Sequence, residues 1–395
     1  MTPWLLPENL SDVLPEEARA VETLRRALLD LYRGYGYELV IPPLLEHLES
    51  LLTGSGRDLG LTTLKLVDQL SGRTLGLRAD TTPQVARIDS HILSRGGVVR
   101  LCYAGSTLHA RPMHPLASRE PLQVGAEIYG EASLAADLEI VQLAVRSARA
   151  IGEVRVQIDF GHMGVVRSLL GMQTPAGSAD ELRNEAILAA LTAKDPAALA
   201  HAGAAHPSAT VGALHAMLEL NGGAEVLDRA RSVLPRSGAR DTALDELAQL
   251  AQGSGADEVS VDLSDLHGFR YHTGATFAVY VSGLSGPLLR GGRYDDIGQA
   301  FGRARPATGF SLLDLREAAR LAPAEPVRAI RAPVEADSLL DTVVNALRAQ
   351  GKIVVRAAPD VDAGVALSID RELVLVDGKW IVRPLLQASG SDNNG

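Results

Sequence analysis

Residues 75–84 read L-G-L-R-A-D-T-T-P-Q, residues 101–106 read L-C-Y-A-G-S, and residues 120–130 read E-P-L-Q-V-G-A-E-I-Y-G. In the last of these, polar and apolar positions alternate. Leu122, Val124, Ala126 and Ile128 fall on one face of a strand, and Gln123, Gly125 and Glu127 on the other. One face is built to pack; the other carries an amide, a gap and a carboxylate. Such a face either meets solvent, as in any one-sided antiparallel strand, or floors a polar pocket where Gly125 admits a ligand close to the backbone. The sequence around the strand has to separate these two readings.

A chain of 395 residues has room for two or three domains and a large buried core. The single cysteine, Cys102, forbids an intramolecular disulfide and a cysteine-based zinc site, which fits a reducing, cytoplasmic setting. The opening M-T-P-W-L-L-P-E-N-L has neither the basic start nor the apolar core of a signal peptide, and no later run reaches membrane-spanning length. Lys and Arg number 38 against 48 Asp and Glu, a net charge of −10, the wrong sign for gripping a long nucleic acid. Aromatics make up only 4% of the chain, which argues equally against base-stacking platforms. No metal site and no cofactor motif stands out.

Upstream, Val21, Leu24, Leu28 and Leu31 recur at helical spacing over 16–33, with Pro15 in the first turn and Gly34 as the C-terminal cap. A short strand over 38–41 is stopped by Pro42 and Pro43. A hairpin over 63–77 follows, then a helix from Pro83 to about Gly96, and a strand over 98–103 joined by a polar loop to the Gln123 strand. Downstream come a helix over 135–150, a strand over 154–159 and a helix from 163. Between 175 and 255 the pattern changes to Ala-rich helices and reads as a helical insertion. Strands resume at 259–263, 275–281 and 287–289, followed by R-G-G-R-Y-D-D and by A-T-G-F-S-L-L-D-L-R opening a helix. The division expected is a core of 1–174 and 256–321, the insertion 175–255, a small α/β unit 327–385 and a disordered tail 386–395.

These blocks, in this order, resemble class II aminoacyl-tRNA synthetases. The 16–42 helix and strand look like the dimer-forming first motif, residues 78–130 like the second, and T-G-F-S-L-L-D-L-R, ending in Arg316, like the third. H-G-F-R-Y-H-T-G at 267–274 and G-G-R-Y-D at 291–295 are similar to the two peptides particular to histidyl-tRNA synthetases. The resemblance implies an α+β fold: an antiparallel sheet flanked by helices, with a helical insertion and a small C-terminal α/β unit. It also implies a histidine pocket. Asp80, in place of the family's glutamate, would receive the α-ammonium group with Thr82, Gln123 and Glu127. An ammonium presents three donors and calls for convergent acceptors, at least one of them charged. Tyr271 and a loop at Gly291 and Gly292 would surround the imidazole. Plainer readings stand beside these: Asp80 as a helix N-cap, the two glycines as a tight turn, and Arg293 with Asp295 as an ion pair holding that turn.

The departures carry the functional expectation. Where the synthetases have R-G-L-D-Y-Y, His267 replaces the catalytic arginine. In G-S-T-L-H-A-R-P, His109 stands in register with the second-motif arginine and Arg111 out of it. Arg316 survives, but Leu313 and Leu315 replace its neighbouring glycine and glutamate. A mostly neutral imidazole cannot do the work of a permanently charged, bidentate guanidinium. Losing one such donor costs roughly 10²- to 10³-fold in rate, so no catalytic residues are assigned. The pattern resembles the regulatory subunits of ATP phosphoribosyltransferase, catalytically silent relatives of histidyl-tRNA synthetase. That resemblance implies a non-catalytic partner of a short catalytic subunit in the first step of histidine biosynthesis, with L-histidine as feedback effector. It further implies a homodimer as the building block of a hetero-oligomer, and no stable tRNA or membrane binding. Arg111, Arg270 and Arg316 are candidate anion or partner contacts. The alternative is a divergent histidyl-tRNA synthetase in which Arg270, Arg290 or Arg111 has taken over the lost charge.

Overall fold

The computed structural model describes residues 4–53, 56–172, 179–266, 268, 271–322, 327–358 and 368–385. His267, Arg270 and the expected tail lie outside the described residues. The chain divides into two compact units, one of residues 1–13 and 17–322, the other of 14–16 and 323–395. No helix among the described residues is long and apolar enough to cross a membrane.

The larger unit is organised on a nine-stranded sheet. In spatial order its strands are Glu38–Leu39, Val99–Ser106, Leu122–Tyr129, Ala307–Leu312, Leu289–Arg293, Ala275–Val281, Val156–His162, Glu258–Asp262 and Asn221–Gly222. From Val99–Ser106 to Val156–His162 every pairing is antiparallel, while Glu38–Leu39 and Glu258–Asp262 join parallel. The two strands of the 99–129 region and the Leu289–Arg293 and Ala307–Leu312 strands are thereby brought side by side near the centre of one sheet.

One face of this sheet is dry. Val124, Ala126, Ile128, Ile158, Phe160, Val279, Leu289, Phe310 and Leu312 pack there against helices Pro15–Gly34 and Leu134–Arg149. The first of these helices buries Val21, Leu24, Leu28 and Tyr32 at three- and four-residue spacing. Each fully buried aliphatic side chain is worth about 1.5–3 kcal/mol, so this contact holds the helix to the sheet far more firmly than helix propensity does. The left-handed residue after the helix is Gly36, with φ +85°, rather than Gly34, which ends the helix itself. The second face of the Leu122–Tyr129 strand is buried as well, so the solvated-face reading of Gln123, Gly125 and Glu127 is corrected.

The Ala-rich region forms helices Ala179–Thr192, Pro196–Ala202, Ser208–Leu218, Glu225–Val233 and Gly238–Gly253. Leu191, Leu214, Met217, Leu244 and Leu247 join the same apolar core as the sheet, and Asn221–Gly222 pairs with its edge. In the smaller unit, strands Arg328–Ala332, Ile353–Arg356, Ser368–Val376 and Lys379–Pro384 form one sheet. Helix Ser338–Ala349, capped by Asp337, packs Leu340 and Val344 on Ile330, Val354 and Leu373. Ser368–Val376 is the longest of these strands.

Candidate functional site

Glu127 is the centre of the polar face. It is 1% exposed, and Oε1 accepts hydrogen bonds from Thr82 Oγ1 and Tyr103 Oη, both at 3.2 Å. The Tyr294 hydroxyl donates to its other oxygen, Oε2. Burial raises the Glu127 carboxyl well above its ordinary value, and the nearby Asp80 charge raises it further, while the Tyr103 and Thr82 hydrogen bonds oppose the shift. No cation is bonded to it among the described residues. The carboxylate is thus held by neutral hydroxyls in a site that would gain from a positive group.

The turn ahead of helix Thr82–Arg87 supplies the second carboxylate. Gln123 fixes it from the sheet: its Oε1 accepts from Thr81 N at 2.9 Å, and its Nε2 donates to Asp80 Oδ1 at 2.9 Å. Asp80 Oδ1 also accepts from Thr82 N at 3.2 Å. Asp80 is not the N-cap itself, which is Thr81; its oxygen ties the turn one residue earlier, and its half-buried side chain stays beside Glu127. Both polar atoms of the Gln123 amide thus hold this turn in place.

Tyr103 explains Gly125. A Cβ at 125 would strike the Tyr103 phenol and the Phe310 carbonyl, so the gap in the strand is filled by a tyrosine and is not a door for ligand. That phenol lies 2.5 Å from Ser311 Oγ and 3.3 Å from Thr82 Oγ1. Aromatic rings close the far side. Tyr271, 37% exposed, stacks on His272 with centroids 4.3 Å apart, and both meet Tyr294 edge-on. Burial lowers His272 to about 4, so this imidazole is neutral at physiological pH.

Gly291 and Gly292 do not form a loop or a tight turn; they lie within the Leu289–Arg293 strand. A Cβ on Gly291 would strike Phe277 and Phe310 of the dry core, so this residue faces away from the pocket. Gly292, at φ +157°, has the His272 ring and the Ala275 carbonyl against it, and a side chain there would dislodge the ring from beneath Tyr271. Arg293 is an internal clamp. It pairs with Asp137 at 2.9 Å and with Asp295 at 3.1 Å, and donates to the carbonyls of Glu131 and Ser133.

The arginine positions of the synthetase pattern are rebuilt for structure. His109 has Nε2 3.0 Å from the Ala79 carbonyl, and burial lowers its pKa. Arg316 is 7% exposed, bonds Ser11 Oγ at 2.9 Å and pairs with Glu17 at 3.6 Å, so it ties down the N-terminal segment. Arg111 is exposed in its loop, away from these bonds. Tyr103, Tyr294, Ser311 and His272 join the cluster around Glu127 and were not singled out from the sequence. The alternation of Val99–Ser106 against Gly125 was the available signal for Tyr103, and the G-G-R-Y-D peptide for Tyr294.

Residues 9–317 match the histidyl-tRNA synthetase family model, and residues 327–383 match the ATP phosphoribosyltransferase subunit HisZ C-terminal domain. The chain is 54% identical to the ATP phosphoribosyltransferase regulatory subunit of Cupriavidus necator, over 96% of this chain and 99% of that protein. It is 52% identical to the one of Ralstonia nicotianae, over 97% and 99%. Among solved structures it is similar to an ATP phosphoribosyltransferase regulatory subunit/histidyl-tRNA synthetase from Bacillus halodurans, at TM-score 0.77 and 25% identity over 92% of this chain and 95% of that one. The histidyl-tRNA synthetase from Nostoc sp. PCC 7120 shares the fold, at TM-score 0.74 and 19% identity over 97% of each chain. The chain belongs to the family of ATP phosphoribosyltransferase regulatory subunits, built on the histidyl-tRNA synthetase fold.

Proposed function

We propose that this chain binds free histidine between Glu127, Asp80 and the Tyr271–His272 wall, and passes the occupancy of that pocket to a separate, short catalytic subunit of ATP phosphoribosyltransferase. It does so in the cytoplasm, as a homodimer within a larger hetero-oligomer, without chemistry of its own. The observation that carries the reading is the buried Glu127 carboxylate beside Asp80, framed by hydroxyls and lacking a bonded cation among the described residues. An α-ammonium group supplies the missing charge, and the aromatic wall is suited to an imidazole. The case against catalysis rests on charge. Adenylate formation requires fixed positive groups around the reacting carboxylate and phosphate, yet His109 is held near a carbonyl in place of an arginine and Arg316 is spent on Glu17 and Ser11. Feedback requires only a coupling free energy of roughly 1–3 kcal/mol between the pocket and the partner's active state.

The test combines the purified chain with a short catalytic subunit. Phosphoribosyltransferase activity should need both proteins and fall as histidine is added. Glu127→Ala should keep the activation and lose the inhibition. A catalytic subunit that works equally well alone would contradict the proposal.

A further inference from the structure

Across the polar face of the sheet one transverse row runs Tyr103, Gly125, Ser311, Arg290, Ala278 and Asp159, each residue registered on the next. Cross-strand partners hold their Cβ atoms about 4.5–5.5 Å apart. Arg290 therefore stands beside Ser311, whose Oγ lies 2.5 Å from the Tyr103 hydroxyl that in turn reaches Glu127 at 3.2 Å. On its other side Ala278 is small, and the Asp159 carboxylate is already engaged by the Ser260 hydroxyl and by Gln157 Nε2 at 3.0 Å.

Arg290 is half-buried and, among the described residues, has no hydrogen-bond or ion-pair partner. The buried arginines around it each have a polar partner. Arg78 donates to the carbonyls of Ser106 and Pro42, Arg293 is held by Asp137 and Asp295, Arg305 by Asp89, and Arg316 by Glu17. A guanidinium drawn partly out of water with nothing to receive its five donors is unfavourable unless an anion arrives. Its charge also reaches the aromatic wall. Burial raises the Tyr271 phenol, Asp80 and Glu127 raise it further, and Arg290 draws it back.

We propose that Arg290 receives the α-carboxylate of the amino acid whose ammonium group lies against Asp80 and Glu127. The two charges of a zwitterion are one carbon apart, and the sheet presents acceptors and this cation on either side of Ser311. Arg290 thereby takes over on the sheet the charge that the second-motif position no longer provides, and makes the pocket selective for a free carboxylate. The inference rests on the histidine-pocket reading above.

Calorimetry on the full chain with L-histidine and with histidinol, which lacks the carboxylate, tests it. Wild type should prefer histidine by about 30- to several-hundred-fold, the range for one buried charged contact. Arg290→Gln should lose that factor for histidine and leave histidinol unchanged, and Arg290→Lys should fall between. Equal wild-type affinity for the two ligands would overturn the assignment without any variant, as would Arg290→Gln weakening both alike or neither. If Glu127→Ala abolishes binding of both ligands while Arg290→Gln spares both, the pocket stands and the carboxylate anchor falls. Wild type that binds neither ligand overturns both.

Discussion

Glu127 and Gly309 are register partners on neighbouring strands, and the Glu127 carboxylate occupies the space that a side chain at 309 would fill. The third-motif peptide thus serves the pocket through what it lacks. Gly309→Ala should be mildly favourable for strand backbone entropy, by about 0.5–1 kcal/mol, yet it forces Glu127 out of its seat. The expected result is a folded protein whose histidine affinity is reduced at least as much as in Glu127→Ala. Calorimetry beside thermal unfolding separates the two effects.

Glu127→Ala leaves an ammonium group facing unpaired hydroxyls. The cost expected is roughly 2–5 kcal/mol, or about 30- to several-thousand-fold in affinity. Unchanged binding would remove Glu127 from the site.

The raised Glu127 carboxyl gives a pH signature of definite sign. An acid whose folded pKa is raised stabilises the fold fully below its unfolded value of about 4.3, and that contribution is lost as pH rises toward the folded value. Without histidine, Glu127→Gln should therefore match wild type in mild acid and exceed its melting temperature at pH 8. With saturating histidine the order should reverse, because only the ionised glutamate pairs with an ammonium. Where the raised Glu127 carboxyl holds its proton in the empty site, histidine binding should release it, read as a dependence of the calorimetric heat on buffer ionisation, and Glu127→Gln should remove the part of that dependence due to residue 127.

Gln123 and Arg316 separate positioning from anchoring. Gln123→Met keeps the length but drops the bonds to Thr81 N and Asp80, and loss of a hydrogen bond to a charged group of about 1.5–3 kcal/mol predicts roughly 10- to 150-fold weaker histidine binding. Arg316→Ala should instead lower stability by about 0.5–1.5 kcal/mol through the lost hydrogen bond to Ser11, since Glu17 keeps its pairing with Arg320, and leave histidine affinity unchanged. Thermal unfolding and calorimetry on the same two variants measure both quantities.

Local pattern carried much of the fold. Period-two alternation marked the Leu122–Tyr129 strand, strand-forming residues marked Ala275–Val281, and a helix begins at Met163 as the sequence suggests. What local pattern does not encode is which side of a glycine is filled. Gly125 reads as room for a ligand until the Val99–Ser106 strand brings Tyr103 over it, and Gly291 and Gly292 read as a turn until their register with Ala275–Val281 and Ala307–Leu312 makes them mid-strand. Arg316 reads as an anion contact because its partners, Ser11 and Glu17, lie some three hundred residues away in the chain. Glu127, Asp80, Thr82 and Tyr271 could be named from motif and chemistry together, and the structure gathers all four. Tyr103 and Ser311 depend on pairing between distant strands, which no window along the sequence contains.

The central claim is that a synthetase fold here senses histidine without activating it, and histidine-dependent ATP–pyrophosphate exchange by the purified chain tests that most directly. Calorimetric histidine binding on the same preparation ensures that the pocket is intact. The account predicts saturable binding with no exchange; exchange at synthetase-like rates would contradict it.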